Sequence, residues 1–180
     1  MRNLSLLLLS LLLVQCSWLL PKKEVLPELP PPTREGNNTF GCYLNDKPWT
    51  PKGRMGTRSN LNMTYDPTYN GGHLAIRAFR IEGNREQFMT IGLDSLTKAG
   101  IYSLSLPNKL GGAYFNDYND HNNTACEYND DSNLYRKGSL TITRFDLQAR
   151  VIAGTFEFTL ARPGCDTVRV TDGRFDMRIY

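Results

Sequence analysis

From residue 40 onward, apolar and polar side chains alternate with a period of two, the pattern of strands with one buried and one wet face. Thr155-Phe156-Glu157-Phe158-Thr159-Leu160 alternates without a break, and Arg174-Phe175-Asp176-Met177-Arg178-Ile179 repeats the pattern. Tyr102, Leu104 and Leu106 alternate with serines, and Leu140 and Ile142 alternate with Ser139, Thr141 and Thr143. The same reading places strands at Phe40–Asn45, Leu61–Tyr65, His73–Ile81, Gln87–Leu93, Gly112–Phe115 and Thr124–Tyr128. Gly, Asn and Asp separate many of these runs, as antiparallel connections require: Asn70-Gly71-Gly72, Glu82-Gly83-Asn84, Gly111-Gly112 and Asp172-Gly173. No window of helical length carries a convincing amphipathic stripe. About ten short strands at this spacing predict an all-β domain, an antiparallel β-sandwich or a partly closed barrel.

The C-terminal stretch allows a local test. With Asp172-Gly173 as a two-residue turn, Val170 faces Phe175, Val168 faces Met177, and Arg169 faces Asp176 as an ion pair on the other side. The competing reading is one long strand with a bulge at Gly173. The agreement of register and charge favours the hairpin.

The first residues follow another rule. Arg2 precedes a Leu-rich run, Leu4 to Val14, which is the length of a signal h-region and short for a bilayer span of ~20 residues. Leu13-Val14-Gln15-Cys16 follows the order of a bacterial lipobox, with Cys16 as the lipid attachment site. Gln15 departs from that pattern, which prefers a small residue. An ordinary signal cut nearby, or an uncleaved anchor extended through Trp18, Leu19 and Leu20, uses the same residues. Prolines 21, 27, 30, 31 and 32 then predict an extended tether. The chain therefore divides into a signal segment (1–16), a Pro-rich tether (17–38) and a β domain (39–180).

Thr39-Phe40-Gly41-Cys42, Gly154-Thr155-Phe156-Glu157-Phe158 and Val170-Thr171-Asp172-Gly173-Arg174-Phe175-Asp176 occur in this order after the lead-in Leu29-Pro30-Pro31-Pro32-Thr33. Together they resemble a family of small secreted lipoproteins from Bacteroidota, of unknown function. The resemblance implies export and a β-rich domain, and it carries over no catalytic residues.

Composition narrows the chemistry. A net charge of +3 with scattered Lys and Arg argues against nucleic acid, which needs a dense basic face. Without Cys16, three cysteines are left, and one disulfide plus one thiol is the simplest outcome in an oxidising compartment. Cys126 and Cys165 lie beside turn-like sequence and are the expected pair, while Cys42 sits in an apolar strand as a small hydrophobe. Three free thiols are the alternative. The Asn116–Asn133 stretch carries Asp117, Asp120, Asp130 and Asp131, oxygen donors of the kind a hard cation takes. Their spacing is not that of an EF-hand, and solvated turns use the same residues, so they stand as an ion or ligand loop of secondary rank. Tyr114, Phe115, Tyr118, Tyr128 and Tyr135 flank it, as a binding surface or as packing beneath loops. Trp49 reads as a packing anchor, and His73 and His121 as ordinary strand or loop residues.

No P-loop, nucleophile elbow, zincin helix or paired-cysteine metal pattern is present. The expectation is a non-enzymatic cell-envelope lipoprotein without cofactor or metal, held to a membrane by its lipid and meeting a saccharide, peptide or envelope partner. Two alternatives are a small envelope hydrolase whose carboxylates converge only in the fold, and a lipocalin-like carrier with an internal cavity.

Overall fold

The computed structural model describes residues 28–54, 56–105, 111–118, 126–129 and 134–179. Within them the alternating segments form eleven strands: β1 (Thr39–Leu44), β2 (Lys47–Trp49), β3 (Leu61–Asp66), β4 (His73–Glu82), β5 (Arg85–Leu93) and β6 (Gly100–Ser103) come first. β7 (Gly111–Asp117), β8 (Cys126–Tyr128), β9 (Tyr135–Asp146), β10 (Val151–Ala161) and β11 (Val168–Arg178) follow. They make two antiparallel sheets, in the orders β2-β1-β11-β10-β9-β6 and β3-β4-β5-β7-β8. Isolated bridges pair Lys52, after β2, with Arg80 of β4, and Ser105, after β6, with Gly112 of β7. The domain is thus a β-sandwich.

Inward-facing residues of both sheets fill the space between them. Phe40, Phe156, Phe158 and Phe175 from one sheet meet Leu74, Ile76, Met89, Ile91 and Phe115 from the other, all buried. Each such side chain stabilises the fold by about 1.5–3 kcal/mol. Among the described residues this interior is packed with side chains, so the apolar cavity that a lipocalin-like carrier requires is not formed there.

Two glycines make the densest part of this packing possible. Gly154 pairs directly with Phe175 across β10 and β11, and Gly173 pairs with Phe156. Each ring lies over the opposite glycine: a Cβ on Gly154 would come within 3.0 Å of the Phe175 ring, and one on Gly173 would overlap the Phe156 ring. The spacings Gly154-Thr155-Phe156 and Gly173-Arg174-Phe175 are two halves of one reciprocal contact.

The expected hairpin at Asp172-Gly173 is not formed. Val168 to Arg178 is one strand lying between β1 and β10. Register shifts on both sides, between Gly41 and Tyr43 and between Phe156 and Phe158, give β11 one extra residue. The turn-forming sequence supplies that bulge, with Asp172 at φ 50°. Folding back there would strip the partner from both neighbours, which outweighs the local turn signal. The expected Arg169–Asp176 pair is likewise absent. The Arg169 amide donates to Asn45 Oδ1, and Asp176 serves another purpose.

Asp176 points to the outer face yet is 1% exposed, because residues 33–37 lie over it. Its carboxylate accepts from the Thr33 hydroxyl (2.6 Å) and from the amides of Glu35 (2.9 Å), Gly36 (2.6 Å) and Asn37 (3.3 Å). Arg178 completes the clasp by donating to the carbonyls of Gly36 and Glu35. This end of the Pro-rich stretch is therefore fastened to the domain. Burial opposes the charge on Asp176, but the four donors outweigh it and hold the carboxyl below the usual carboxylate range.

Because that pKa is depressed on folding, the clasp stabilises fully above the unfolded value of ~3.9 and is lost as pH falls through the folded one. Asp176→Asn is expected to lower stability by about 3 kcal/mol at neutral pH, since the amide presents donors to donors. Urea unfolding at pH 7 and again near pH 3 checks this: the gap between variant and wild type should narrow in acid.

Candidate functional site

At one end of the sandwich the turn after β1, the β4–β5 hairpin, the end of β7 and the segment 162–168 surround an open cleft of about 650 Å3. Leu44, Phe115, Tyr128 and Val168 give it apolar walls, while Lys47, Arg80, Glu82, Arg85, Asp117 and Asp166 supply charge.

A polar chain crosses the core behind this cleft. The indole Nε1 of Trp49, from one sheet, donates to Gln87 Oε1 at 2.9 Å. Gln87 Nε2 donates to Asp117 Oδ2 at 2.7 Å, and Arg85 Nη2 reaches the same oxygen at 2.8 Å. Gln87 and Asp117 are direct partners across β5 and β7, so the strand register itself places them together. An indole only donates and a carboxylate only accepts, so a single orientation of the amide satisfies both. Gln87 is 6% exposed, and a buried polar group of this kind is costly unless it is bonded at each end. Among the described residues Asp117 Oδ1 is buried without a hydrogen-bond partner, so the carboxyl is held through its other oxygen by Arg85 and Gln87.

The rim is also internally paired. Glu82 takes Lys52 at 2.5 Å on one oxygen and Arg80 at 2.7 Å on the other. The hydrogen bonds from Lys52 and then Arg80 hold its carboxyl down at about 2. Below the cleft, Cys126 and Cys165 form a disulfide with a Cα–Cα distance of 5.9 Å, joining β8 to the loop after β10. Closing that 39-residue separation stabilises the fold by about 4 kcal/mol on a chain-entropy basis. The Tyr128 hydroxyl donates to the Asp166 carbonyl alongside it. Cys42 is the buried free thiol that the sequence suggested, and burial pushes it up to about 12.

Of the acidic loop, Asp117 is described, and its carboxylate is committed to Arg85 and Gln87. Asp120, Asp130 and Asp131 lie outside the described residues, as do Cys16 and His121. Among the described residues no three His, Cys, Asp or Glu side chains gather as a metal site. Trp49 is a packing anchor, 2% exposed, in a T-shaped contact with Phe40. Phe115 and Tyr128 pack in the core, while Tyr118 and Tyr135 are exposed.

Two features escaped sequence reasoning. Gln87 sits at an inward position of an otherwise apolar strand face, and that break in the alternation was the available signal. His73 and Asp94 meet on the outer face of the second sheet, with His73 Nδ1 2.5 Å from Asp94 Oδ1. Asn70 Nδ2 donates to the other oxygen at 2.9 Å. The β4–β5 register, which pairs Leu74 with Leu93, brings these residues together, and nothing local announces it. Compared with family models, curated proteins and solved structures, the chain has no match.

Gln87→Leu should cost about 2 kcal/mol in urea unfolding, because it strands the Trp49 N–H and removes a donor from Asp117. It should also shift the Trp49 indole N–H resonance; unchanged stability and shift would mean that the chain of hydrogen bonds carries no energy. Native Cys42, buried and protonated, should resist iodoacetamide at pH 8 and react once urea is added, as peptide mass mapping would show.

Proposed function

We propose that the chain is a non-enzymatic cell-envelope lipoprotein, anchored through Cys16, whose β-sandwich recognises a saccharide, peptide or envelope partner in the end cleft. The observation that carries this reading is the state of the cleft's charges. Glu82 is tied to Lys52 and Arg80, and Asp117 to Arg85 and Gln87, so these groups are held in place. Fixed, mutually paired charges around apolar walls suit recognition, where orientation matters. A general acid needs the opposite, a carboxyl whose proton is retained near neutral pH, and Glu82 at about 2 does not offer one. The sequence supports the envelope setting through the h-region, the lipobox-like order around Cys16, and the resemblance to secreted lipoproteins.

One observation favours a second reading. Glu82, Asp117 and Asp166 line the same cleft, as a small hydrolase built on paired carboxylates would require.

Two measurements separate these ideas. Metabolic labelling with a palmitate analogue should mark the wild type and not Cys16→Ala, and the variant should be released from the membrane; equal labelling would refute the anchor. Glycan and peptide arrays probed with the full chain should give hits that Arg85→Ala weakens at least tenfold. Release of product from an array ligand, abolished by Glu82→Gln, would instead support the hydrolase.

A further inference from the structure

On the outer face of the second sheet, on the opposite side from the core, three cross-strand rows lie side by side. Ala75, Gly92 and Gly112 form the middle row, and Arg77, Thr90 and Tyr114 form the next. On the other flank stand His73 and Asp94. Small residues between two rows of larger polar ones leave a trough of about 160 Å3, lined by His73, Arg77, Thr90, Asp94 and Tyr114. Gly112 is accounted for within the protein, because the Tyr114 hydroxyl lies over it and would meet a Cβ at 2.9 Å. Gly92 is not: a Cβ there would meet nothing within 4 Å. A glycine inside a strand weakens it, and one that opens empty surface among polar side chains is a place for close approach by a ligand.

The donors and acceptors around this floor are mixed. His73 Nδ1 lies 2.5 Å from Asp94 Oδ1, which leaves Nε2 as the ring nitrogen outside that contact. Asn70 holds Asp94 from the other side, so the imidazole is fixed in orientation. Arg77 is exposed and makes no ion pair among the described residues, although Arg80, Arg85 and Arg144 all do. Thr90 supplies a hydroxyl beside it. Arg136 stacks on Tyr114, 4.8 Å from its ring centre, so a face of that ring is covered. The other charge close by, Asp66 on β3, is taken up by Thr68 and the Tyr69 amide. His73 and Arg77 are four residues apart on one strand, about 14 Å between Cα atoms. A bare anion reaches one wall only, whereas a ring bearing several hydroxyls and a carboxylate reaches both.

We propose that this trough is a binding site for a pyranose carrying a carboxylate, a uronic-acid unit. Arg77 takes the carboxylate in a bidentate contact, while His73 Nε2 and Thr90 take ring hydroxyls. The site is separate from the end cleft and does not rest on it.

The test is titration of the purified full chain, in detergent, with glucuronate, glucose, acetate and inorganic sulfate, read by NMR at the His73 ring and the Thr90 amide. Glucuronate should shift both saturably, and each of the others should bind at least tenfold more weakly. Gly92→Val should abolish the response with an unchanged melting temperature, since its Cβ enters open space. Arg77→Gln should remove the preference for glucuronate over glucose. Binding by acetate or sulfate as strong as by glucuronate, binding retained in Gly92→Val, or no response to glucuronate would each overturn the assignment.

Discussion

A strand that lies between two others must satisfy hydrogen bonds on both edges, and β11 meets that constraint at the cost of one irregularity. It pairs with β1 near the start of the domain and with β10 just before it in sequence. Its inner face carries Val168, Val170, Phe175 and Met177 into the core, and its outer face carries Asp176 to the clasp over residues 33–37. The bulge at Asp172 lets both halves of that inner face point inward, although an odd residue separates them. Without the bulge, the period of two would send one half to solvent. The reciprocal Gly–Phe contacts between β10 and β11 sit directly beside it and fix its register. The core and the clasp over residues 33–37 thus depend on one strand.

What was legible in the sequence follows from how local each signal is. The all-β class and most strands came from alternation, which a single strand displays by itself. The hairpin at Asp172-Gly173 failed because turn chemistry is local, while the choice between a turn and a bulge depends on what lies on either side. β2 went unnoticed because Lys47-Pro48-Trp49 is too short to show a period, and it survives as an edge strand with its proline on the rim of the sheet. β9 extends from Tyr135 well before the predicted Ser139, through Arg136 and Lys137, whose polar character hid the ladder. The Cys126–Cys165 pair was legible from its flanking turns. The Trp49–Gln87–Asp117 chain was not, since it needs contact between sheets.

The two polar sites share a cause. Along β5, Gln87, Met89, Ile91 and Leu93 face inward while Thr90 and Gly92 face out. Gln87 therefore enters the end cleft's supporting chain, and Thr90 and Gly92 shape the trough, from a single register. That register is held by the apolar residues: moving it by one place would expose Met89, Ile91 and Leu93 and bury Thr90. The cost would be several kcal/mol, from three buried side chains at about 1.5–3 kcal/mol each. Neither site has to hold its own strand in place, so each can keep features that weaken a sheet. The cleft keeps a buried amide and a partly unsatisfied carboxylate, and the trough keeps a glycine over empty space. A fold that concentrates its stability in the apolar face of a strand leaves the remaining positions on that strand free to carry polar or small residues.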